Sequence, residues 1–271
     1  MTLLELDFMR HALVAAAVVG LVAPAIGVFI VQRRLALLGD GIGHVALAGV
    51  AAGLVTGASP LLTAMVAAAV GAVVIELIRE RARAAGDVAL ALLFYGGIAG
   101  GVFLAGFSPG SGGNLFAYLF GSVLTVSRSD LVAIGALSLA VLLLLGVLGK
   151  QLFAIAYDEE VAKAAGIRVR ALNLALAVTA AVTVVVGMRV VGLLLVAALM
   201  VIPVATAQAF ATSFRATAWA SAAFGVLAGV GGVVVAFYLD AFPGATIVLT
   251  ALALFVVTTV AVRMRPSRAR S

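Results

Sequence analysis

The chain has 271 residues, 65% of them hydrophobic and only 10% charged, against roughly half and about a quarter in an ordinary soluble domain. That balance excludes a soluble globule, whose core cannot hide two thirds of its residues, and it reads as an all-α polytopic membrane protein. The absence of cysteine excludes a disulfide framework and a thiolate metal site, and the net charge of +6 is spread over loops without an aromatic-lined groove, so no nucleic-acid partner is expected.

In chain order, the start MTLLELDFMRH carries Glu5 and Asp7 ahead of its apolar run and has no basic n-region, so no signal peptide is expected. A crossing takes about 20 predominantly apolar residues. On that measure nine spans are predicted, over residues 10–31, 38–56, 60–78, 88–106, 131–149, 171–187, 192–211, 217–238 and 245–262. The stretch 115–126, in SPGSGGNLFAYLFGSVLTVSRSD, is too short to cross and is expected to re-enter or lie on one face. Pro24 and Pro203 fall inside spans, where lipid tolerates a bend at the missing amide hydrogen bond.

If the nine spans alternate, Arg33, Arg34, Arg79, Arg81, Arg83, Lys150, Lys163, Arg168, Arg170, Arg215 and the tail residues Arg263, Arg265, Arg268 and Arg270 share one face. Only Arg10, Arg128 and Arg189 fall on the other. The rule that short basic loops stay inside then predicts an external N-terminus and a cytoplasmic C-terminus. The chain is expected to form a single transmembrane domain over 1–271, with one long polar interruption near 152–170.

Two places carry candidate chemistry. In LALLGDGIGHVALAGVAAG, Asp40 and His44 stand four residues apart, one above the other on a helix face, where both could hold one ion. Imidazole suits zinc and carboxylate suits harder ions such as manganese. The competing readings are a carboxylate that caps its helix and a histidine that packs with its hydrogen bonds satisfied, set against the general rule that ionisable groups inside a membrane serve function. In FAIAYDEEVAKAAGIRVRALN, Asp158, Glu159 and Glu160 precede Lys163, with Val161, Ala164 and Ala165 at helical spacing and Gly166 as a stop. This segment is either an ordinary loop or a short helix that docks on a soluble partner. Thr206 and Gln208 beyond Pro203 are expected to serve a packing kink, and Asp240 before Pro243 and Gly244 a turn. No GxxxxGK[ST] motif occurs, so nucleotide binding by that route is excluded, and an HExxH protease is excluded by the presence of only His11 and His44.

These segments, in this order, resemble the permease subunits of the bacterial ABC importers for zinc, manganese and ferrous or chelated iron. The resemblance runs from about Phe8 to about Val262 and rests on RRLALLGDGIGHVALAGVAAG, GDVALALLFYGGIAGGVFLA, LFGSVLTVSRSDL, YDEEVAKAAGIRVRALN, VVGLLLVAALMVIPVATA and FPGATIVL. One departure is Gly43, where the family commonly has serine before the motif histidine.

The resemblance implies a type II ABC importer fold. Two permease copies would enclose a pathway in the bacterial cytoplasmic (inner) membrane, above two cytoplasmic ABC ATPase subunits that bind the ATP. An extracytoplasmic metal-binding protein would deliver the ion. It implies that the chain is not an enzyme and binds no cofactor of its own, that Asp40 and His44 contact the cargo, and that Asp158, Glu159, Glu160, Ala164 and Gly166 belong to the coupling segment. Zinc is the expected cargo, with manganese or iron, or a metal chelate, as alternatives.

Overall fold

A computed structural model of the chain describes residues 6–81, 86–107, 112–122, 126–193 and 195–264. Arg83, Arg265, Arg268 and Arg270 of the charge pattern, and residues 123–125 of the short segment, lie outside them. The described residues form eleven helices: α1 (Asp7–Gln32), α2 (Leu38–Thr56), α3 (Pro60–Arg81), α4 (Gly86–Ala105), α5 (Gly112–Phe120), α6 (Arg128–Tyr157), α7 (Glu159–Ala164), α8 (Val169–Gly187), α9 (Val196–Gln208), α10 (Phe214–Leu239) and α11 (Pro243–Met264).

Seven of these are long and apolar enough to cross a membrane, and α9 and the Leu90–Ala105 part of α4 are shorter apolar helices. Together they match the nine expected spans, while α5 and α7 are the two short polar-flanked pieces between them. Lipid offers no partner for a free amide, so helices that satisfy their own backbone are the economical solution for such a sequence.

The helices gather into two interlocked groups. In one, α2 packs most extensively on α4 and α3, and α3 on α8; in the other, α1 packs on α10, α6 and α9, and α10 on α11. α8 and α9 join the groups through contacts with both α1 and α2. Accordingly α1, α2 and α8 are the most buried spans and α6 and α11 the least. The outward faces carry large apolar side chains, among them Leu92 and Phe103 on α4 and Leu249 and Val256 on α11, as expected of surfaces meeting lipid or another membrane chain.

Two expectations change in detail. Gly192 does not belong to the Pro203 span: it lies in the turn before α9 at φ +89°, a left-handed conformation that glycine adopts without Cβ strain. α6 continues to Tyr157, about two turns beyond the expected end of its apolar run, which carries the polar segment away from the bundle. The Thr206 hydroxyl donates to the Ile202 carbonyl at 2.8 Å rather than to the carbonyl of residue 199 that Pro203 leaves unpaired. Asp240 is the C-cap of α10 at φ +49°, the turn role expected of it.

The end bearing Arg10 and Arg189 is closed by a polar joint. Asp130 completes a capping box with Ser127 at the start of α6 and accepts a salt bridge from Arg189 at 3.2 Å. The Arg189 guanidinium lies 5.2 Å from the Tyr118 ring centroid, and the Leu193 amide donates to the Tyr118 carbonyl. α5 is thereby tied to the turn between α8 and α9.

Candidate metal pathway and coupling helix

Asp40 occupies the third position of α2, and His44 follows one turn later, both half-buried. The N-cap of α2 is Leu37, with no side-chain cap hydrogen bond, so Asp40 supports the helix only through its charge in the first turn. It makes no hydrogen bond or ion pair with the described residues. His44 packs edge-on against Phe94 of α4 with ring centroids 4.1 Å apart. Its Nδ1 is buried and has no hydrogen-bond partner among the described residues. A buried polar nitrogen without a partner costs free energy that a packing role does not return. The capping reading and the satisfied-packing reading therefore both lack the hydrogen bonds they require.

The glycines of α4 bring this pair under a neighbouring helix. A Cβ at Gly97 would stand 2.6 Å from the His44 carbonyl oxygen, so the two backbones cross at van der Waals distance only because no side chain intervenes. Gly96, its neighbour, has open space beside it. Gly97→Ala is therefore expected to lower thermal stability in detergent by about 1–3 kcal/mol and to reduce transport. Gly96→Ala is expected to do neither, and equal effects of the two substitutions would contradict this crossing. Gly43 faces the Leu193 carbonyl oxygen, 3.2 Å from where a Cβ would be, so a serine here would press on the turn before α9.

Among the described residues no group of three or more His, Cys, Asp or Glu converges on one point. A closed metal shell needs more donors than Asp40 and His44 supply from one chain, since zinc takes about four ligands.

At the end where α2 begins, the polar segment forms α7. Asp158 is its N-cap and accepts hydrogen bonds from the Glu160 and Val161 amides, each at 3.0 Å. Gly166, at φ +79°, terminates it: its amide donates to the Lys163 carbonyl and the Ile167 amide to the Ala162 carbonyl, the paired pattern of a Schellman stop. The apolar residues at helical spacing are turned outward. Ala162 is buried, whereas Val161, Ala164 and Ala165 are exposed, because α7 rests on α6 and α8 through its other edge.

The sequence reading treated Arg33 as a topology marker only, and here it becomes the centre of this end. Its guanidinium, only 7% exposed, donates to Asn173 Oδ1 of α8 at 2.6 Å and to Glu159 Oε2 of α7 at 3.1 Å. Glu159 also pairs with Lys163 at 3.0 Å, Glu76 with Arg79 at 2.8 Å and Glu80 with Arg170 at 3.0 Å. These groups line a cavity of about 430 Å³ between α3, α7 and α8. Burial, then the charge of Arg79, pushes the Arg33 guanidinium below its usual range against the pull of Glu159. Burial also works to raise the Glu159 carboxyl, but the Lys163 hydrogen bond and the charges of Arg33 and Lys163 outweigh it and hold the carboxyl below its usual range. No local signal could have shown this, because Arg33 and Asn173 are 140 residues apart in the chain.

Comparison with known proteins agrees with this architecture. The profile described as the ABC 3 transport family matches residues 5–262. The chain is 34% identical over 253 residues to the manganese transport system membrane protein MntC of Halalkalibacterium halodurans, covering 93% of this chain and 87% of that one. It is 28% identical to the high-affinity zinc uptake system membrane protein ZnuB of Haemophilus influenzae, covering 93% and 97%. Among solved structures, PsaBC from Streptococcus pneumoniae in complex with Fab superposes with a TM-score of 0.86 at 34% identity, covering 94% of this chain and 92% of that one.

Proposed function

From the premise that this chain belongs to the ABC 3 transport family, we propose that it is the membrane-spanning subunit through which an ATP-driven importer moves a divalent transition-metal ion into the cytoplasm. As an ABC permease subunit the chain is not itself an enzyme. The observation that carries the cargo assignment is the Asp40–His44 pair, two metal-ligand side chains one turn apart inside a span, with neither the Asp40 carboxylate nor His44 Nδ1 hydrogen-bonded among the described residues. A two-fold axis would bring two carboxylates and two imidazoles to one site, enough to replace the shell of a small divalent ion. Such a shared site would also open when the copies separate, as conduction demands.

The cargo is zinc or manganese. Imidazole favours zinc; the absence of thiolate, together with relatives named as manganese transporters, favours manganese. The deciding measurement is total zinc, manganese and iron in cells that lack their own high-affinity uptake and express the complete transporter. A selective rise in one of them identifies the cargo, and no rise in any of them overturns the reading.

The positive-inside pattern supports placing α7 in the cytoplasm, with an extracytoplasmic binding protein at the Arg189 end. On the cytoplasmic side the exposed Val161 and Tyr157 and the charged edge of α7 would meet one of two ATPase subunits, and their closure would be passed through Arg33 to α1 and through Asn173 to α8. Reversing the charge of Glu159 and Glu160 together is expected to abolish uptake and weaken ATPase association. Unchanged uptake and association would remove α7 from that role.

A further inference from the structure

We propose that the groove between the far end of α6 and the start of α10 binds the headgroup of an anionic phospholipid. The groove has a volume of about 470 Å³ and is lined by Gly149, Lys150, Phe153, Ser213, Phe214 and Arg215, within the ~300–1,000 Å³ range usual for small-ligand sites. Its charge is one-sided: two cations and no carboxylate. Lys150 and Arg215 are exposed and have no ion-pair partner among the described residues. Arg33, Arg79, Lys163 and Arg170, at the same end of the bundle, are each engaged by a glutamate; Arg34, Arg168 and Arg263 are also without an ion pair among the described residues but do not line this groove.

Position decides that the anion belongs to a lipid. Lys150 directly follows the apolar run of α6, and Arg215 directly precedes that of α10, so both ammonium and guanidinium stand where hydrocarbon gives way to water. Below Lys150, Leu139, Leu143 and Val147 form an exposed stripe at four-residue spacing, a track for an acyl chain. One turn inward from Arg215 stands Trp219, 77% exposed and suited to the interface. Its two lining aromatics pack tilted on each other, Phe214 4.8 Å from Phe153 between ring centroids, and Phe214 packs likewise on Phe29 at 5.2 Å.

Trp219 is the chain's single tryptophan and reports on its own neighbourhood. The complete transporter, ATPase subunits included, is placed in phosphatidylcholine vesicles doped with phosphatidylglycerol or phosphatidylcholine brominated on the acyl chains. Trp219→Phe transporter supplies the emission to subtract. Each interfacial cation is worth roughly fivefold in local enrichment of an anionic lipid. With two cations in the groove, brominated phosphatidylglycerol is therefore expected to quench at roughly 25-fold lower mole fraction than brominated phosphatidylcholine. The preference should vanish in Lys150→Gln/Arg215→Gln and survive in Lys150→Arg/Arg215→Lys, a control for folding. Equal quenching by the two lipids, or a preference that persists in the glutamine pair, would overturn the site. A preference present only after the ATPase is removed would overturn it as well, because the groove would then be the seat of that subunit.

Discussion

His44→Ala and Asp40→Asn are each expected to reduce metal uptake by roughly 100-fold or more, while the permease continues to assemble with its ATPase. The magnitude follows from the chemistry: groups that merely orient a metal ligand are worth about 10–100-fold, and a direct donor lost at a two-fold site is lost twice. The structural cost is small by comparison. His44→Ala surrenders one edge-on contact with Phe94, worth about 1 kcal/mol, and Asp40→Asn removes a carboxylate that makes no hydrogen bond. Uptake of radioactive metal, thermal unfolding and size-exclusion of the complex, run side by side, distinguish the two roles. Loss of uptake with an intact complex identifies a transport site. Loss of stability with normal uptake would return His44 to packing and send the search for the pathway elsewhere.

Arg33→Met keeps the apolar stem of the side chain and removes the guanidinium, and it is expected to uncouple ATP hydrolysis from transport. Two strong hydrogen bonds vanish, to Asn173 and Glu159. Bonds to charged groups are worth about 1.5–3 kcal/mol each when buried. The Glu159 bond is to be discounted to about 1 kcal/mol, because that carboxylate is 40% exposed and screened by solvent. A double-mutant cycle with Glu159→Gln at neutral pH should leave a coupling energy of that size, and strict additivity would show that the two side chains do not communicate. The pH matters in a defined direction. The Glu159 carboxyl is held below its ordinary 4.5, so its contribution is fully present above that value and is lost as pH falls through the lowered one. Hydrogen exchange of the α7 amides should accordingly rise in Arg33→Met at neutral pH, and in the native protein only in acid.

Much of this architecture can be read without coordinates. A crossing is a local property, since twenty apolar residues in a row must satisfy their backbone internally wherever they end up. The nine spans and the two short interruptions follow from such runs, and several boundaries, such as Leu38–Thr56, coincide with the observed helix ends. Asp40 and His44 stand out for the same reason: charge in an apolar run is visible in one dimension. The stop at Gly166 is also local, because only the left-handed freedom of glycine is needed there.

What only the tertiary structure decided is everything that depends on which surfaces meet. Helical spacing grouped Val161, Ala164 and Ala165 on α7 without saying which way they face, and the fold left them exposed and buried Ala162. Helical period specifies a face, and the neighbouring helices choose its direction. Phe94 and Gly97 acquire their meaning only because α4 crosses α2 at His44. Arg33 looked like one more positive charge in a loop, yet it binds residues 126 and 140 positions away. Hydrophobic burial determines from the sequence alone how many helices cross and which side chains are conspicuous. Close packing and long-range ion pairing, which need the helices in place before they act, decide which of those side chains work together.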